Sequence, residues 1–321
     1  MKDPYPLVSP EKPSPENMSQ DKASQDERIN KVSPIRLTSW KFITAFLFCW
    51  TLLITLSPIS IDQISEYGLF SFLGVLGAIF ANSTGAGGGV VFIPAFNELE
   101  FSEQQAIATS FAIQCFGMTA GAITWWHHYK SEKTELRLWQ GFKRIISVCV
   151  ISGILGLWLV YTSDIQAPST LHQNFSLFSL ILGLFIVVTV FFVKSSRERS
   201  QIFVFDYIVI VMIGLFGGAI TAWLSVGIGE LLAIYLILRR FDISMAVAVA
   251  VIVSAFIVWA GIWQHTLVSF QVYWQVAIFA GPGAVLGGIF AKTLVTHLSA
   301  TRLKLFFAFW LLVIGLVGIK F

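Results

Sequence analysis

The sequence predicts an all-α polytopic membrane protein with an inverted-topology repeat. Each half is a re-entrant broken-helix hairpin plus three transmembrane helices, and one extra transmembrane helix precedes them. Three observations lead there. Apolar residues make up 56% of the 321 residues and charged residues 12%, about half the charge of a soluble domain, and mean hydropathy is +0.76. Two glycine-rich breaks interrupt apolar sequence, with Gly85 and Gly227 142 residues apart. Lys and Arg gather in alternate loops.

The tail, residues 1–38, holds six of the ten prolines and few apolar residues, so it is expected to be a disordered cytoplasmic segment. The first apolar run starts near Trp40 and is long enough to cross, which makes 39–60 the extra helix rather than a cleaved leader. About 20 apolar residues cross about 30 Å of hydrocarbon, and further windows of that kind lie near 104–125, 145–161, 175–193, 243–263, 272–291 and 303–319. The stretches 68–97 and 205–238 carry the breaks. The repeats are placed at 65–196 and 203–321.

Topology follows from charge. Basic residues occupy the tail, 127–144, 194–199, Arg239–Arg240 and 292–304, whereas 58–67, 97–103, 162–174 and 265–272 contain no Lys or Arg. If both break-bearing stretches dip in and return to the side they came from, 20 of the 21 Lys and Arg lie on the cytoplasmic side, Lys320 excepted. That agreement with the positive-inside rule favours hairpins over single crossings. It puts the N-terminus inside a plasma (inner) membrane and the C-terminus outside. It also inverts the second half relative to the first. Weak internal matches run in the same order: Gly85 and Gly87 with Gly227 and Gly229, Ser102 with Ser244, and Ala120-Gly121 with Ala260-Gly261.

The breaks read Asn82-Ser83-Thr84-Gly85-Ala86-Gly87-Gly88-Gly89, with Pro94 beyond, and Ser225-Val226-Gly227-Ile228-Gly229-Glu230. Close helix packing also favours small residues. Three consecutive glycines, however, weaken a helix by ~1 kcal/mol each. A broken backbone at membrane depth is tolerated only inside protein or along a wet cavity, because unpaired amides cost several kcal/mol in hydrocarbon. A second short helix starting near 88 or 230 presents free N–H groups and a positive dipole end, an anion site.

The candidate substrate-binding residues are Asn82, Ser83, Thr84, Gly85, Gly87, Gly88 and Gly89 at the first tip and Ser225, Gly227 and Gly229 at the second. Ser110 and Gln114 come from a helical stripe with Gly117 and Gly121, and Ser254 from the equivalent stripe with Val258, Gly261 and His265. The competing readings are hydroxyls of Ser110 and Ser254 bonded back to their own helix, and an interhelical bond from Gln114 without a ligand. Glu230 is the one acid placed at membrane depth. It either carries a proton for coupling or caps the second short helix. Trp223 and Tyr235 are placed beside the second tip, Asp206 at a helix start, and Arg239 near an inner mouth. Cys49, Cys115 and Cys149 have neither zinc nor disulfide spacing and read as packing residues.

A Gly-x-Gly-Gly-Gly run followed by proline, Gly85-Ala86-Gly87-Gly88-Gly89 with Pro94, and its weaker copy at Gly227-Ile228-Gly229 resemble the sulfite exporter TauE/SafE family over roughly 65–320. The second copy departs from the pattern, with Glu230 next and no proline five residues on. The resemblance implies transport of small anions such as sulfite, sulfoacetate or related organosulfonates. The expected function is a secondary transporter working by alternating access, with proton coupling through Glu230 open. An anion channel and a cation carrier using Glu230 are the alternatives. No His-Glu-x-x-His, Gly-x-Ser-x-Gly or Walker loop occurs, so neither an enzyme nor a cofactor nor a metal is expected. The expected partners are the anion and the bilayer, not nucleic acid, and a homo-oligomer stays open.

Overall fold

Hydropathy this high, interrupted by so few polar loops, should give helices and nothing else. The computed structural model describes residues 40–56, 61–97, 99–131, 138–163, 165, 171–192, 199, 201–298 and 300–319, and among these no strand occurs. The tail expected to be disordered lies outside the described residues. Helix α1 spans Trp40–Leu56. Its Thr44, Thr51 and Thr55 hydroxyls donate back to its own carbonyls, so they need no partner outside it.

Then follow α2 (Ile61–Tyr67), α3 (Phe70–Thr84), α4 (Gly89–Asn97), α5 (Glu103–Ser131), α6 (Phe142–Thr162) and α7 (Leu171–Phe192). The second half comprises α8 (Val204–Leu224), α9 (Ile228–Leu238), α10 (Ile243–Trp263, ending in a π turn over Gln264–Val268), α11 (Trp274–His297) and α12 (Ala300–Ile319). Among the described residues six helices are long and apolar enough to cross a membrane, so the chain is a multi-pass membrane protein. They include Asp62–Thr84 and Val204–Leu224, stretches the hydropathy reading assigned to hairpins. The expectation of two short arms is therefore met only after each break. A long helix approaches it, and a short one of nine or eleven residues leaves it.

α5 and α10 form the centre. The most apolar windows of these two spans are 78% and 83% buried, against 22–61% for the other four. Around them, α3 packs on α11 and α6 on α8, while α7 pairs with α12. The first two contacts exchange when the halves are exchanged. Both are close because glycines remove side chains at the crossing. A Cβ on Gly74 or Gly287 would strike the carbonyls of Ala280 or Val75, and one on Gly156 or Gly218 those of Leu215 or Gly153.

Each short helix runs back along its long one. In the first half Phe92 lies against Gly77, and the Phe96 ring centroid is 6.3 Å from that of Phe70. In the second, Gly217 meets Ile228, and Asp206 at the start of α8 bonds Tyr235 and Arg239 at the end of α9. The hairpins open at opposite ends. Tyr67, Phe101, Tyr161, His265 and Tyr273 share one end through Tyr67–Tyr273, Phe101–Tyr273 and Tyr161–His265 contacts. At the other end Lys130 and Lys143 cover Trp126, and Arg199 reaches Phe241, Arg240 and Asp206. Tyr67, Phe101, Tyr161 and His265, beside stretches without basic residues, thus lie at one pole, and Lys130, Lys143, Arg199 and Arg240 at the other, about 30 Å apart along α10.

Candidate functional site at the two helix breaks

Both long helices end in a residue of left-handed conformation. Gly85 has φ +80° and Ser225 φ +56°, and their amides donate to the carbonyls of Ala81 and Thr221. At Gly227 φ is +142°, a region open to glycine, and α9 begins one residue later. A threonine closes each break locally. Thr84 Oγ1 donates to the Phe80 carbonyl (2.8 Å) and accepts from Ala86 N–H (3.2 Å). Thr221 Oγ1 donates to Gly217 (2.7 Å) and accepts from Ile228 N–H (3.1 Å).

One side chain joins the two breaks. Gln114, on the buried face of α5, accepts from Gly88 N–H at 2.7 Å through Oε1. Its Nε2 lies 2.7 Å from Ser225 Oγ, 3.0 Å from the Ser225 carbonyl and 3.0 Å from Ser110 Oγ. Ser225 Oγ also donates to Ser110 Oγ at 3.0 Å. Backbone meets backbone around this knot. A Cβ on Gly89 would sit 2.6 Å from the Ser225 carbonyl oxygen, and one on Gly229 would overlap the Gly85 carbonyl and Ser254 Oγ.

The helix starts supply donors. Gly88 N–H is taken by Gln114, and the Val91 and Phe92 amides by the Gly88 carbonyl. Likewise Thr221 takes the Ile228 amide and Gly227 that of Leu231. The amides left without an acceptor among the described residues are those of Gly89 and Val90 on α4 and Gly229 and Glu230 on α9. Ser254 Oγ is buried without a hydrogen-bond partner and lines the same cavity as Gly87, Gln114, Thr221, Ser225 and Gly229. That cavity offers about 10 Å³ to the centre of a water-sized sphere, room for one water molecule. No charged side chain lines it.

The structure therefore brings together Gly87, Gly88, Gly89, Ser110, Gln114, Ser225, Gly227, Gly229 and Ser254. It sets others apart. Asn82 turns to α5, donating to the Ala78 and Gly117 carbonyls (2.9 and 3.3 Å) and filling the space over Gly121. It shares with Gly88 and Gln114 only a second small space beside Phe92. Ser83 Oγ is buried without a partner outside the cavity lining. Thr84 serves its own helix end, and the Gly85 carbonyl packs against Gly229 where a side chain would stand. Neither serine on the stripes bonds back to its helix, and Gln114 makes the interhelical bonds of its alternative reading. Trp223 donates to the Ile165 carbonyl (3.0 Å), and Tyr235 reaches Asp206 at the hairpin's base instead of the tip. His265 pairs with Tyr161 at the far end of α10.

Glu230 is fully buried, but its side chain leaves the cavity for α7, where Oε1 accepts from Ser179 Oγ at 3.4 Å. It accepts nothing from the first turn of α9, so the capping reading has no hydrogen bond behind it. Asp206 does start α8, accepting from Phe203 N–H at 2.8 Å. Its further ion pairs to Arg199 (2.8 Å) and Arg239 (2.9 Å) escaped the sequence reading. So did Thr221, Val226 and Ile228 in the cavity wall. A threonine four residues before Ser225, one turn from the break, was the available signal for the first of these. Cys115 and Cys149 are buried packing residues and Cys49 is exposed, all free thiols. Among the described residues no cluster could ligate a metal.

The family model of the sulfite exporter TauE/SafE matches residues 70–318, a span that takes in both breaks and runs from α3 into α12. The chain belongs to the TauE/SafE family. No curated protein and no solved structure matches it. The TauE/SafE family is one of membrane transporters for sulfur-containing anions, which makes this chain a membrane transporter. In this TauE/SafE chain any attraction at the breaks comes from amides and hydroxyls, since the cavity wall holds neither Lys nor Arg.

Proposed function

We propose that the chain is a secondary carrier for sulfite, sulfoacetate or a similar organosulfonate, working by alternating access around the junction of the two breaks. The observation that carries this reading is Gln114. It fastens the Gly88 amide of one half to Ser225 of the other, beside the cavity lined by Gly229 and the unpartnered Ser254 hydroxyl. Sulfonate and sulfite oxygens match such donors. A site with no fixed cation binds loosely enough to release.

The present cavity holds about one water, too little for a sulfonate, so this conformation corresponds to an occluded empty carrier. Binding requires the Gln114 amide to yield its acceptors to the anion and the halves to part. We read the exchange-related contacts and the hairpins opening at opposite poles as an inverted repeat with re-entrant hairpins. On that reading repeats lie at 65–196 and 203–321, and the basic pole faces the cytoplasm of a plasma-membrane protein with its C-terminus outside. The closed junction favours a carrier over a channel.

Counterflow tests it. In proteoliposomes loaded with unlabelled sulfite or sulfoacetate, labelled anion outside should accumulate transiently. A channel gives no such trans-stimulation, and its absence for both anions sinks the proposal. Gln114→Leu should abolish counterflow while the protein still inserts.

A further inference from the structure

Resting on the anion-carrier reading, we propose that Glu230 carries the coupling proton, so that one proton crosses with each anion. α9 bears both sites within its first turn. Gly229 lines the anion cavity, while the Glu230 carboxyl points to a different wall made by α7. There Oε1 meets only Ser179 Oγ at 3.4 Å, and Oε2 is buried with no partner. The apolar cluster of Ile186, Ala233, Ile234, Ala250, Phe307 and Leu311 packs this region.

Among the described residues no cation pairs with the carboxyl. α3, α4 and α10 carry no titratable side chain, and α7 and α12 carry theirs, His172, Arg302 and Lys304, within their first five residues. Tyr235 and Asp206 are engaged with each other. The positive end of α9 favours a carboxylate, but that gain is smaller than the loss of hydration in a dry site. In the proposed cycle the proton rests on this carboxyl while the junction is closed.

An anion bound on the amides of the same turn repels a second negative charge, so the anion strengthens proton binding and the proton strengthens anion binding by the same factor. Bisulfite, a monoanion, and one proton then cross together without net charge, whereas sulfoacetate, a dianion at neutral pH, crosses with one net negative charge. When α9 moves to admit water, the carboxyl loses its Ser179 contact and releases the proton.

The test uses the wild-type protein in proteoliposomes. Dicyclohexylcarbodiimide, which reacts with protonated carboxyls in apolar sites, should label Glu230 near neutral pH, read by mass spectrometry. Labelling should fade as pH rises, and sulfoacetate should move the fade upward by about one pH unit. Absence of label at Glu230 across the pH range overturns the inference. So does a fade that transported sulfoacetate leaves unmoved. A sulfoacetate gradient should acidify a pyranine-loaded lumen, and Glu230→Gln should retain counterflow and lose the acidification. Wild-type counterflow without acidification, or Glu230→Gln acidifying at the wild-type rate, sinks the coupling alone. Absence of counterflow for both sulfite and sulfoacetate sinks the carrier reading as well.

Discussion

The two breaks share a backbone and differ in chemistry. Each ends a long helix in a left-handed residue, closes with a threonine hydroxyl and restarts as a short helix. The first is built from glycine and leans on a side chain supplied by α5. Its hairpin is fastened at the base by aromatic rings, Phe70 on Phe96 and Phe96 on Phe101. The second has Ser225 in place of a glycine, an acid one residue beyond its last glycine, and a charged base where Asp206 holds Arg199 and Arg239. The backbone geometry is thus common to the two breaks while the polar groups diverge: Phe70–Asn97 carries no charged side chain, and Val204–Arg239 carries Asp206, Glu230 and Arg239.

Several substitutions break or sharpen that contrast. The largest effect is expected where the breaks touch. Gly229→Ala drives a methyl into the Gly85 carbonyl and Ser254 Oγ. Since one of those atoms is backbone, the cost should be about 3 kcal/mol, with transport lost, read by thermal unfolding in detergent and by counterflow. Gln114→Leu comes next. It leaves the Gly88 amide and the Ser225 and Ser110 hydroxyls short of a partner, which should cost about 2 kcal/mol. If it leaves stability and transport intact, the breaks are not coupled through this residue.

Asp206→Asn tests the charged base. Asp206 is 1% exposed but its partners are 19% and 37% exposed, so about 1 kcal/mol is expected, between a surface pair and a buried one. Wild-type stability should fall with added salt through the second hairpin, and this variant should lose that salt dependence. An unchanged salt response would remove the distinction between the two bases. The smallest effect on stability belongs to Ser254→Ala. The hydroxyl has no partner to lose, so unfolding should shift by under about 0.5 kcal/mol. Anion affinity should nevertheless drop about tenfold, the loss of one hydrogen bond to a charged group, measured as the concentration for half-maximal counterflow.

Much of the site was legible because it depends on local rules. The stripe Ser110, Gln114, Gly117 and Gly121 follows helical spacing, so its members had to share one face of α5 wherever that face turned. The restart of the helix at 89 and 228 follows from clustered glycines, each of which weakens a helix by about 1 kcal/mol. Asn82 and Ser83 lie off the cavity wall because neighbours on a helix diverge by about 100° per residue. Closeness to the glycines in sequence said nothing about facing the tip. Glu230 stood out as an acid in apolar surroundings, but nothing local indicates that it looks toward Ser179, 51 positions away. The Asp206 cluster gathers residues from 199 to 239, and only the return of α9 along α8 brings them together.

Composition, periodicity and the spread of basic residues determined that the chain is a membrane protein with two interrupted segments, since each is a property of a stretch read alone. The tertiary structure decided which groups meet. Glycines on α3, α6, α8 and α11 allow their helices to touch at carbonyl distance, and that contact sets each helix's rotation about its axis. A rotation of one residue would carry Gln114 away from Ser225, and Glu230 into the cavity instead of away from it.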